Sequence, residues 1–154
     1  MGTVDTRLAE LGLSIPTVAA PAGAYVPAVV SGGYLYTAGQ LPFVDGVLPA
    51  TGKVGAGITP EQAHDLAKQS ALNALAAAAS VLDGDLDRVV RVVKVTGFVA
   101  SDPAFTGQPG VINGASNVLG EIFGDRGVHA RSAVGVAVLP LDSPVEVEII
   151  LEVE

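Results

Sequence analysis

The chain has 154 residues, which suits one domain able to bury about two-thirds of its unfolded surface. It is 49% hydrophobic and only 16% charged, against about 25% charged in a typical soluble domain, so part of its surface is expected to lie against further copies of itself. A net charge of −8 with a sequence pI near 4.5 argues against nucleic acid and anionic membranes as partners, and the absence of cysteine excludes disulfides, thiolate zinc sites and a thiol nucleophile.

Thr3 to Leu11 reads as a short helix stopped by Gly12, followed by a linker through Pro16, so residues 1–20 are a helical extension and linker to a single domain spanning 1–154. No basic segment leads into an apolar stretch here, and nowhere do 18 apolar residues run together; this predicts no signal peptide, no membrane span and a cytoplasmic location. Val26 to Val30 and Tyr34 to Ala38 are β-formers joined by Ser31-Gly32-Gly33, a hairpin signal. Leu41 to Ile58 is glycine- and proline-rich and is expected to be mostly loop. Thr59-Pro60-Glu61-Gln62 then combines an N-cap hydroxyl, proline at N1 and glutamine three residues after the cap, which starts a helix running to about Leu82 before Asp83-Gly84. Val89 to Val99 predicts a strand, Val111 to Phe123 a second helix, and Ser132 to Leu139 with Val145 to Val153 a closing pair of strands around the 141–144 turn. The predicted order is hairpin, helix, strand, helix, hairpin. This is an α+β architecture, one mostly antiparallel sheet with two helices on one face.

The last two strands carry the polar groups of interest. Strand alternation sets Val134, Val136 and Val138 on one face and Arg131, Ala133, Gly135 and Ala137 on the other. If the valines face the helices, Arg131 shares the bare face with Glu146, Glu148 and Glu152. If the strands pair around the 141–144 turn, Glu146 lies opposite residues 137–139, which at ~3.3 Å per residue puts it roughly 20 to 26 Å from Arg131. A site using both would then lie between subunits.

Ala130-Arg131-Ser132, Leu139-Pro140 and Val145-Glu146-Val147-Glu148, supported by Gly23-Ala24-Tyr25-Val26 and by Leu35 through Pro42, resemble the Rid family, also called YjgF/YER057c/UK114. The resemblance runs from about Pro21 to the end. It implies a chorismate-mutase-like (YjgF) fold, a trimeric barrel-like assembly with clefts between subunits of a homotrimer, and hydrolysis of reactive 2-imino and enamino acids to 2-oxo acids and ammonia without cofactor or metal. In the deaminases that it resembles, the position of Arg131 binds the substrate carboxylate, Glu146 places or activates water, Tyr25 lines the pocket and the backbone near Gly39 completes it. Asn113 is the first choice for the asparagine that contacts ligand, with Ser116 and Asn117 competing. Ala133 stands where the deaminases often have cysteine and His129 where proline is frequent, which marks a divergent subgroup.

The chemistry suits these residue types. A guanidinium binds a carboxylate bidentately, and a nearby carboxylate can orient or deprotonate the water that attacks an electrophilic imine carbon. The plain alternatives are a structural ion pair for Arg131, a solvated strand position for Glu146, edge packing for Tyr25 and simple exposure for His129. His64 has no partner at metal-ligand spacing, and Lys53 lacks the flanking residues of a phosphate loop. The competing function is a non-catalytic trimer that binds small carboxylates such as 2-oxo acids. RNA cleavage fits poorly with the acidic charge, and chorismate mutase activity would rest on fold alone.

Overall fold

The computed structural model describes residues 2–21 and 23–154. In chain order they form α1 (Thr3–Glu10), β1 (Ala28–Ser31), β2 (Tyr34–Thr37), α2 (Pro60–Ser80), β3 (Val89–Ala100), α3 (Gln108–Phe123), β4 (Ala130–Val136) and β5 (Val145–Val153). The expected capping box is present: the Thr59 hydroxyl accepts from the Gln62 N–H at 3.1 Å and the Gln62 side-chain oxygen accepts from the Thr59 N–H at 2.9 Å. The β1–β2 hairpin also forms, with Ser31 opposite Tyr34.

The five strands make one mixed sheet in the order β1-β2-β5-β3-β4. The predicted closing hairpin does not exist. β4 runs parallel to β3 at the sheet edge, while β5 lies at the centre, antiparallel to both β2 and β3. The turn after β4 explains the departure. Leu141 and Asp142 both adopt positive φ, 59° and 56°, and the chain turns away from β4 there. Two further forces fix the order. α3 supplies the long crossover that a parallel β3–β4 pair requires, and β5 buries Val145, Val147, Ile149 and Leu151 on alternate positions, the pattern best served by the centre of the sheet.

Both long helices pack on one face. There the buried strand residues Leu35, Val92, Val95, Val99, Val147 and Ile149 meet Ala71, Leu75, Ala78, Ile112, Ala115 and Leu119 in one core. The assignment of the valines of β4 to this face is reversed in the structure. Arg131, Ala133 and Gly135 are level with Val95, Gly97 and Val99 on the helix side, whereas Val134 pairs with Phe98 on the open side and is 44% exposed. The cause is the closeness of α3. A Cβ on Gly97 would overlap the Ile112 side chain, and one on Gly135 would lie 2.8 Å from Gln108 Nε2, so at these two positions the sheet under α3 has little room for a side chain. Bulk is not a guide to the inner face where a helix lies this close.

The open face carries Val29, Tyr34, Tyr36 and Val134, each more than 40% exposed, beside Glu146, Glu148, Ile150 and Glu152 of β5. The N-terminal extension is tied down. The N–H groups of Thr3 and Val4 donate to the Asp87 carboxylate at 2.9 and 3.0 Å, Arg7 Nε donates to the Glu121 carbonyl at 2.8 Å, and Val4 and Leu8 are buried. Leu13, Ile15 and Val18 continue this packing along the linker. Among the described residues no helix is long and apolar enough to cross a membrane.

Candidate functional site

The residues singled out by sequence fall into two clusters, and the first is centred on Arg131 at the start of β4. Its Nη1 donates to Asn113 Oδ1 at 2.8 Å and to Ser116 Oγ at 3.2 Å, and its Nη2 donates to the Pro109 carbonyl at 3.3 Å. All three acceptors belong to α3, one to each turn of a single face, because Pro109, Asn113 and Ser116 are spaced four and three residues apart. The acceptors are neutral. Among the described residues no carboxylate pairs with Arg131, so its charge is oriented but not neutralised, and Nε–H and one Nη2–H have no hydrogen-bond acceptor among them. Asn113 and Ser116 thus both belong to the arginine cluster, and among the described residues the hydrogen bonds of Arg131 do not include Asn117.

His129 joins the same cluster. Its Nε2 lies 2.9 Å from Ser116 Oγ and its Nδ1 2.6 Å from the Gly127 carbonyl oxygen. The closeness of Ser116 and His129 had no signal in the sequence, since it arises only when α3 packs beside the start of β4.

The second cluster lines a cleft of about 320 Å³ formed by Ala19 to Pro21, Tyr25, Pro27, Gly39, Gln40, Leu41, Phe43, Pro140, Leu141 and Glu146. Gln40 bridges to β5, its N–H donating to the Val147 carbonyl at 2.8 Å and its carbonyl accepting from the Val147 N–H at 3.0 Å. That pairing sets Gly39 beside Glu146, where a Cβ would overlap the carboxylate. A side chain at position 39 would therefore displace the Glu146 carboxylate. The Glu146 carboxyl is pushed above its ordinary range, first by burial and then by the negative charge of Glu148, which moves it toward the range useful for proton transfer. Tyr25 lines this cleft with half of its surface exposed.

Arg131 and Glu146 do not share a face. They are level with Val95 and Phe98 on β3, about 10 Å apart along the strand at ~3.3 Å per residue, with Arg131 on the helix side and Glu146 on the open side. The expected 20 to 26 Å rested on a β4–β5 pairing that does not form; strand β3 and the opposite faces of the sheet keep the two residues apart instead. Among the described residues no group of three His, Asp or Glu side chains could hold a metal ion.

Residues 5–153 match the family described as "YjgF/chorismate mutase-like, putative endoribonuclease". Protein TCP17 of Trypanosoma cruzi is 45% identical over 152 residues, 98% of this chain and 94% of that protein. AldR of Lactococcus lactis, named as a candidate regulator, is 31% identical over 91% of this chain and 97% of its own length. The crystal structure of Atu1372 from Agrobacterium tumefaciens, a protein of unknown function, superposes with a TM-score of 0.92 at 43% identity, covering 99% of this chain and 93% of that one. With its mixed five-stranded sheet, helices on one face and a family match along nearly its whole length, the chain belongs to the YjgF/chorismate mutase-like family.

Proposed function

We propose that this protein hydrolyses reactive 2-imino and enamino acids to 2-oxo acids and ammonia, at clefts between the subunits of a homotrimer. The observation that carries the proposal is the guanidinium of Arg131, held in place by three neutral oxygens and paired with no carboxylate among the described residues. Such a group is a receptor for a carboxylate, and two charged hydrogen bonds in a sheltered site are worth about 1.5 to 3 kcal/mol each. Glu146, with its carboxyl pushed up by burial, takes a proton from the attacking water and passes it toward the departing nitrogen. Tyr25 and Gly39 shape the wall beside it. The trimer is part of the proposal because the two clusters lie on opposite faces of one sheet, and the exposed Val29, Tyr34, Tyr36 and Val134 offer an apolar face for a neighbouring copy.

The test generates an imine in place with an amino acid oxidase and follows its decay. Wild-type protein accelerates the decay, and Arg131→Ala lowers kcat/KM about 100-fold or more, the lower end of what two lost charged hydrogen bonds imply. An unchanged decay rate with wild-type protein overturns the enzyme reading. The separation of Arg131 from Glu146 within a protomer favours one other reading, a non-catalytic receptor for small carboxylates. In that case calorimetry finds 2-oxo acids bound, with no turnover, and binding is lost in Arg131→Ala.

A further inference from the structure

His129, Ser116 and Arg131 form a chain of contacts that carboxylate binding alone does not require. The Gly127 carbonyl can only accept, so the 2.6 Å contact places the proton of the neutral imidazole on Nδ1 and leaves Nε2 as an acceptor. Ser116 Oγ, 2.9 Å from Nε2, therefore donates its hydroxyl proton to the ring. The same oxygen accepts from Arg131 Nη1 at 3.2 Å. A hydroxyl bonded to a base that is itself oriented by a third group, with a fixed positive charge against the oxygen, is the arrangement that activates a serine nucleophile.

We propose that Ser116 and His129 are a nucleophile–base pair acting on small carboxylic esters, with Arg131 stabilising the oxyanion. Ser116 Oγ attacks the ester carbonyl carbon while its proton passes to His129 Nε2. The Arg131 guanidinium beside Oγ, with its Nε–H and one Nη2–H unpaired, supplies positive charge and donors to the oxyanion formed on the carbon bonded to that oxygen. Collapse breaks the bond to the leaving alcohol, which takes the proton from Nε2. Water then attacks the acylated serine, giving its proton to Nε2, and the carboxylic acid departs as Ser116 regains its hydrogen. Ester and water become acid and alcohol, with no other reactant. This chemistry needs neither Glu146 nor the imine reading, and either can fail without the other.

The chain has no cysteine, so Ser116→Cys introduces one thiol as a clean reporter. The expected result is that iodoacetamide alkylates this thiol at neutral pH at least about tenfold faster than an ordinary thiol of pKa ~8.5, and that adding His129→Ala removes the acceleration. In wild-type protein, p-nitrophenyl acetate should leave an acetyl group on the peptide carrying Ser116. His129→Ala should slow that acylation by about 100-fold or more, the usual contribution of a general base, with its circular dichroism unchanged. A Ser116→Cys thiol of ordinary reactivity, or acetylation of wild-type protein confined to other residues, overturns the proposal.

Discussion

A guanidinium whose partners are all neutral keeps its full charge, and Arg131 has Asn113, Ser116 and the Pro109 carbonyl as its partners. Glu146 is the complementary case, a carboxyl made harder to ionise by burial and by Glu148. Because folding raises its pKa, its contribution to stability is fully present below the ordinary carboxylate range and is lost as pH rises through the raised value. Glu146→Gln removes that penalty, so the Tm of the variant relative to wild type should rise as pH climbs above the ordinary carboxylate range and level off once Glu146 is ionised in the folded protein. A difference that stays constant with pH would show that ionisation of Glu146 costs the fold nothing. At this scale the sequence was informative, since Arg131, Asn113 and Ser116 meet, as do Tyr25, Gly39 and Glu146. The pairing of His129 with Ser116 escaped because thirteen residues and a helix–strand packing angle separate them.

Among the elements, local signals were read correctly where a local hydrogen bond decides the outcome. Thr59 and Gln62 close their capping box, and Ser31-Gly32-Gly33 joins a hairpin. The reading failed where a tertiary contact decides. A short turn between two strands looks like a hairpin, but Leu141 and Asp142 at positive φ send β5 to the centre of the sheet. Likewise the small residues of β4 marked an inner face, because α3 lies against them. Gly97 is the tightest point of that contact, with Ile112 filling the space above it. Gly97→Val should therefore destabilise the protein by about 1 to 3 kcal/mol, the usual cost of overpacking, measured as a lower urea midpoint. A midpoint equal to wild type would mean that α3 can withdraw from the sheet freely.

For the whole molecule, the low content of charged residues has a location. One sheet face is covered by α2 and α3, and the other shows Val29, Tyr34, Tyr36 and Val134. In the proposed homotrimer this open face is buried, and the Arg131 cluster of one subunit approaches the Glu146 cleft of the next. Fold class was accessible from the sequence because α+β patterning and family motifs agree, whereas the facing of the β4 side chains followed only from the position of α3. The most direct test of the shared site uses two defective proteins. Arg131→Ala and Glu146→Gln are each expected to lose imine hydrolysis. If both residues act across an interface, equal amounts unfolded and refolded together form rings among which, counting mixed and unmixed ones, about one interface in four carries both native groups, and about a quarter of wild-type activity returns. Activity no greater than that of the separate variants would contradict a site shared between subunits.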